Sequence, residues 1–153
     1  MENIDILLIE DNRNDAELIL ESLEGLDHGV RVLAINDGAE AVDYIFGAVN
    51  SSEKRRGRLP KLILLDLKLP KVGGLEILKL IKSDERTMHI PVAIFTSSGE
   101  SQDRKESYTR GANSYIVKPL DADMFSRYVN DIGAYWLSMN ATAYDARLLT
   151  PRH

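Results

Sequence analysis

Four apolar runs in this 153-residue chain are each followed at once by groups that handle a metal ion or a phosphoryl oxygen. Glu10 and Asp11 follow IDILLI, Asp66 closes KLILLD, Thr96, Ser97 and Ser98 follow VAIF, and Lys118 follows SYIV. Taken one at a time they have ordinary readings: a helix cap, a turn start, a surface charge. Taken together, three carboxylates in one place repel one another unless a cation neutralises them. A hard divalent cation answers that need, and magnesium favours one or two carboxylates, carbonyl oxygens, waters and phosphoryl oxygens. The chemistry implied is phosphoryl transfer, which needs an in-line nucleophile, a metal ion and cationic or hydrogen-bonding groups around the equatorial oxygens. Asp66 would attack as a carboxylate and become an acyl phosphate. Asp11 and Asp66 would hold the metal, with Glu10 acting directly or through water, while Lys118 and the Thr96 hydroxyl bind the other oxygens.

These groups can meet only if the strands before them run side by side in one direction. Short apolar runs alternate with helix-period segments, the rhythm of a parallel sheet wrapped by helices. Strands are predicted at 4–9, 31–36, 61–66, 92–96 and 114–118, and helices at 14–24, 38–47, 74–85, 101–112 and 121–139. The first, third and fourth strands are apolar almost throughout, as central strands covered on both faces should be. The second is mixed and reads as less central. The fold class is therefore α/β, a doubly wound five-stranded parallel sheet with helices on both faces. In such sheets the loops after the strands gather along one edge, where ligands bind.

In the last helix Met124, Tyr128, Ile132 and Tyr135, with Phe125, Val129, Trp136 and Met139, recur at three-to-four spacing and predict one broad packing face. The fourth helix offers few apolar anchors beyond Tyr108 and should be loosely held. The stretch NSSEKRRGR, 50–58, is a long polar and basic connection, either inert or a contact for a partner. The tail NATAYDARLLTPRH keeps Tyr144, Leu148 and Leu149 and either frays or docks, for example on a second subunit.

Composition sets bounds. One domain fits the length, and 44% hydrophobic residues can furnish its core. A formal net charge of -5 argues against nucleic-acid binding through the overall field. The absence of cysteine removes disulfides, thiolate nucleophiles and zinc-thiolate sites. The apolar run near the start is too short to span a bilayer, so a cytoplasmic protein without membrane insertion is expected. His28, His89 and His153 read as ordinary surface residues and suggest no phosphohistidine donor.

The segments LLIEDN, LILLDLKLPKVGGLEILKLIK, IPVAIFTSS and GANSYIVKPL resemble the receiver domains of two-component response regulators, over about 4–137. The resemblance implies a flavodoxin-like receiver fold over 1–139 and a tail, 140–153, with no output domain. It implies that Asp66 accepts phosphate from a histidine kinase and that Glu10 and Asp11 form the acidic pair. The main-chain carbonyl of Lys68 would be a further magnesium ligand, and Lys118 would bind phosphate with Pro119 following in a cis peptide. Thr96 would be the switch hydroxyl and Tyr115 the switch aromatic, which together change the surface around the fourth helix. Lys68 and Ser98 would border the phosphoryl group, and the Lys68 ammonium is expected to lengthen the life of the phosphorylated state.

The segments DERTMHIPVAIFTSS and GANSYIVKPLDADMF are further similar to stand-alone receivers paired with phytochrome-type histidine kinases. Such a regulator would act through a downstream protein target or a phosphotransfer protein, and receivers of this sort often pair as homodimers. Two other classes fit less well. A haloacid-dehalogenase-type phosphohydrolase needs an aspartate two residues after its nucleophile, where this chain has Lys68. A flavodoxin-like cofactor binder needs bare amides after the first strand, where IEDNRND presents acids.

Overall fold

The computed structural model describes residues 4–26, 29–50 and 59–143. Five strands, β1 (Ile6–Ile9), β2 (Val32–Ile35), β3 (Leu62–Leu65), β4 (Val92–Thr96) and β5 (Ser114–Val117), alternate with α1 (Arg13–Glu24), α2 (Gly38–Asn50), α3 (Gly74–Ser83), α4 (Ser101–Thr109) and α5 (Ala122–Ala134). A π-helical turn, Tyr135–Met139, continues α5. The strands form one sheet in the order β2-β1-β3-β4-β5, and every pairing is parallel.

Burial follows the sequence pattern. Every residue of β1, β3 and β4 is buried, as their unbroken apolar runs require, whereas β2 and β5 lie at the edges and are only partly covered. The period of two splits each central strand between two cores. Ile6, Leu8, Leu62, Leu64, Ala93 and Phe95 pack with Ile19 and Leu23 of α1 and Phe125, Val129 and Ile132 of α5. Leu7, Ile9, Ile63, Leu65, Val92 and Ile94 pack with Ala41 and Ile45 of α2 and Ile77, Leu78 and Ile81 of α3. Each Val, Leu, Ile and Phe among them contributes ~1.5–3 kcal/mol on burial, so the strand ends that carry the candidate residues are firmly anchored.

Two helix expectations are corrected. The apolar face of α5 divides: Phe125, Val129 and Ile132 are buried, but Met124, Tyr128, Tyr135 and Met139 are exposed. Three-to-four spacing generates a stripe wider than the strip of sheet one helix can cover, and α1 shares the same sheet face. In α4, Tyr108 is exposed and is no anchor; Ser107 is the buried residue, its hydroxyl donating to the Asp103 carbonyl at 2.7 Å. Helix α2 runs three residues beyond its expected end, to Asn50. The expected basic loop from 51 onward, the tail from 144 and His28 and His153 lie outside the described residues. Among the described residues no helix is long and apolar enough to cross a membrane.

Candidate metal and phosphoryl site

Strand order reverses beside β1, whose neighbours are β2 and β3. Helices leaving β1 and β3 diverge there, opening the crevice at which ligands of doubly wound sheets bind. Register carries the acids to it. Ile9 pairs with Leu65, so Glu10 and Asp66 leave adjacent strands at the same level, and Asp66 N–H donates to the Ile9 carbonyl at 3.0 Å. Thr96 ends β4 on the far side of β3, and Lys118 follows β5, with its N–H on the Thr96 carbonyl at 2.7 Å.

The turn after Asp66 is shaped by close backbone approach. A Cβ on Gly74 would lie 2.3 Å from the Asp66 carbonyl oxygen, so only glycine lets α3 begin there. Lys71 adopts a left-handed conformation, φ 65°, and its ammonium reaches Asp37 at 2.8 Å. Asp37 in turn accepts the N–H groups of Ala39 and Glu40 and caps α2, which ties the loop after Asp66 to the neighbouring loop.

Oxygens of Glu10, Asp11 and Asp66 all lie within 4.8 Å of one another. Glu10 and Asp66 are buried and Asp11 is exposed, so the cluster opens to solvent on the Asp11 side. Three hard oxygen donors, with room for water at an open side, suit a magnesium-type cation.

Lys118 supplies the counter-charge. Its Nζ donates to Glu10 Oε1 at 2.6 Å, Asp15 Oδ2 at 2.8 Å and Asp66 Oδ2 at 3.1 Å, with 7% of its side chain exposed. Asp15 was not among the expected residues. It stands in the first turn of α1, its N–H donating to the capping Asn12 side chain at 3.0 Å, and an acid in the first turn of the helix that follows the acidic pair is the signal that could have found it. Asp66 Oδ1 also accepts the Lys68 N–H at 3.3 Å. The Lys68 side chain is exposed and makes no ion pair among the described residues.

Burial pushes the Glu10 carboxyl up to about 7, and the neighbouring Asp66 adds to the rise. Burial acts on Asp66 in the same direction, but the Glu10 hydrogen bond, the Lys118 ammonium and the Thr96 hydroxyl outweigh it and hold Asp66 below its ordinary value. Burial opposes the Lys118 charge, yet Asp15, Glu10 and Asp66 keep its pKa above that of an ordinary lysine. The pair therefore divides its roles: Asp66 stays ionised, and Glu10 is the member that holds a proton.

A pH dependence follows. Glu10 ionises near 4.5 in the unfolded chain and near 7 in the fold, so its extra proton stabilises the fold fully below about 4.5 and that contribution is lost as pH rises through about 7. Urea unfolding in metal-free buffer should show stability falling between about pH 5 and about pH 8, on the order of 1–2 kcal/mol from this group. Glu10→Gln should flatten that segment of the curve.

Thr96 is fully buried, and its Oγ1 accepts the Ser98 N–H at 3.4 Å. The Tyr115 hydroxyl donates to the Ser98 carbonyl at 2.8 Å, spanning from β5 to the loop before α4. Ser98 Oγ pairs with Asp103 at 2.5 Å, a partner the sequence reading missed. One backbone expectation is corrected. No described residue has a cis peptide bond, so Lys118–Pro119 is trans. With that bond trans, Lys118 Nζ meets all three carboxylates, and prolyl amides keep a trans preference of about 0.5–1 kcal/mol.

Comparison with known proteins agrees with this geometry. The family model described as "Response regulator receiver domain" matches residues 6–130. The chain is 41% identical over 135 residues to "Probable methanogenesis regulatory protein FilR2" of Methanothrix harundinacea (strain 6Ac), covering 88% of this chain and 84% of that protein. It is 34% identical over 134 residues to "Response regulator Rcp1" of Synechocystis sp. (strain ATCC 27184 / PCC 6803 / Kazusa), covering 86% and 88%. The Mn(2+)-bound form of Rcp1 superposes with a TM-score of 0.80 at 30% identity, covering 92% of this chain and 99% of that one. The phosphorylated cyanobacterial phytochrome response regulator RcpA superposes with a TM-score of 0.82 at 35% identity, covering 93% and 99%. With the acids, the hydroxyl and the ammonium gathered at the switch point of a five-stranded parallel sheet, this chain belongs to the response-regulator receiver family.

Proposed function

We propose that Asp66 is the phospho-acceptor of a two-component phosphorelay. An Asp66 carboxylate oxygen attacks phosphorus, the phosphorus–nitrogen bond of a kinase phosphohistidine breaks, and its electron pair returns to the imidazole. Reversal of the charge state is then hydrolytic: water attacks phosphorus and the Asp66 carboxylate leaves. The observation that carries this reading is a buried carboxylate at a strand end with an ammonium at 3.1 Å and two further acids beside it.

Glu10, Asp11, Asp66 and the Lys68 main-chain carbonyl would hold Mg2+, whose part when bound is to neutralise charge on a phosphoryl oxygen. Lys118 and Thr96 would take the other phosphoryl oxygens. Thr96 and Tyr115 would carry the change outward, because the Tyr115 hydroxyl already bridges to the loop that opens α4. The chain would turn over no external substrate, only assist its own phosphorylation and dephosphorylation. It would act in the cytoplasm, with residues 1–139 as the receiver, through a downstream protein or phosphotransfer protein and as a homodimer.

The likeness to the cyanobacterial phytochrome response regulator RcpA supports a phytochrome-class histidine kinase as the donor. Incubation with Mg2+ and acetyl phosphate, followed by intact-mass measurement, tests the chemistry: one phosphoryl mass is expected, and none after chelation with EDTA. Transfer from a labelled phytochrome-class kinase, faster than from unrelated histidine kinases, tests the donor.

Lys68 supplies a separate prediction. Its exposed ammonium is free to fold over the phosphoryl oxygens and hinder the attacking water. Lys68→Ala should lose phosphate faster than wild type, by roughly two- to tenfold, a range set by the modest worth of one exposed charge. Equal or slower loss would dismiss the role.

A further inference from the structure

Lys118 Nζ has three hydrogens and three carboxylate partners, and the partners are not alike. Glu10 and Asp66 belong to the oxygen cluster that can hold a metal ion; Asp15 does not. Glu10 and Asp66 present side chains that are 2% and 7% exposed, whereas Asp15 is 29% exposed. The ammonium therefore occupies, with respect to Glu10 and Asp66, the same electrostatic place that a divalent cation would take. Both cannot hold it at once, because like charges at contact in a half-buried site repel strongly.

An ammonium displaced from Glu10 and Asp66 needs another anion, since Lys118 is 7% exposed and a buried charge left unpaired is costly. Asp15 is already there at 2.8 Å. Its ordinary role, a first-turn acid favourable to the dipole of α1, requires no lysine. Yet the side chain reaches a residue 103 positions away on the other side of the site.

We propose that Asp15 is the acceptor that retains Lys118 when a divalent cation takes over Glu10 and Asp66. This rests on reading the cluster as a metal site, and it makes Asp15 a positioning residue. Asp15 keeps the ammonium paired and at the rim, where it can meet a phosphoryl oxygen on Asp66. Without Asp15 the ammonium sits more firmly on Glu10 and Asp66, and it has no carboxylate to move to. Metal binding weakens on both counts.

The test is a double-mutant cycle read by calorimetric titration of metal-free protein with Mn2+ and with Mg2+, no phosphodonor being present. Asp15→Asn should weaken binding by about five- to tenfold, and Asp15→Glu should stay within about twofold of wild type. In a Lys118→Met background, Asp15→Asn should change affinity by less than about twofold, because no ammonium competes there. Lys118→Gln replaces Lys118→Met if the latter does not unfold cooperatively. Unchanged affinity in Asp15→Asn would overturn the proposal. So would equal weakening in both backgrounds, which would mean that Asp15 acts on the metal only as a through-space charge. Absence of binding by wild type would overturn the metal reading itself, and this proposal with it.

Discussion

Asp66→Asn is expected to take up no phosphoryl group from acetyl phosphate and Mg2+ over a period in which wild type is fully modified. The carboxamide has nearly the same shape but lacks the charge and the nucleophilic oxygen. No neighbour stands ready to replace it. Glu10 carries its proton up to about 7 and is tied to Lys118 and, through Oε2, to the Asn12 N–H at 3.1 Å. Asp11 is exposed and lies off the Lys118 ammonium. Intact mass and peptide mapping give the readout, with a loss in rate of at least ~10²-fold, because the group removed is the attacking nucleophile itself. Uptake at the wild-type rate would move the acceptor to another carboxylate. The variant should stay folded, because Asp66 contributes little apolar packing and the change removes a negative charge from a cluster of three carboxyl groups.

Lys118→Met should separate two functions of one ammonium. Phosphoryl uptake at saturating Mg2+ should slow by ~10²–10³-fold, the usual cost of losing one preorganised charge from such a site. Divalent-cation affinity should rise instead, since the competitor for Glu10 and Asp66 is gone. In metal-free buffer the variant leaves Glu10, Asp15 and Asp66 without their shared cation. The cost is expected to be a few kcal/mol, about 3–5 if the acids remain charged, and less as they take up protons. Mg2+ should restore the lost stability by binding only the folded form. Stopped-flow rates and urea unfolding with and without Mg2+ measure these effects. An unchanged rate at saturating Mg2+ would remove Lys118 from the chemistry.

Much of the site was legible because a parallel sheet obeys a simple geometry. Unbroken apolar runs mark strands covered on both faces, strands that run one way end at one edge, and the residues just after them must meet there. Glu10, Asp11, Asp66, Thr96 and Lys118 were found in that way, and the structure places them together. Asp15 and Asp103 were missed because they lie inside helices, in the first turns of α1 and α4 rather than at the strand ends. Whether a first-turn acid faces the site or solvent depends on the angle at which its helix leaves the strand. The exposed half of the α5 stripe was misread for a related reason: spacing reports which residues share a helix face, not how much of that face a neighbour covers.

The chemical groups gathered at the site were determined by the sequence: three carboxylates, one ammonium and one hydroxyl, each at the end of a predicted strand. Local periodicity and residue type suffice for that, because strand formation here rests on runs of four or five apolar residues. The tertiary structure alone decided how the ammonium is shared. Lys118 meets three acids that are 108, 103 and 52 residues away along the chain. No local pattern encodes such contacts; they arise when β1, β3, α1 and the end of β5 are packed against one another.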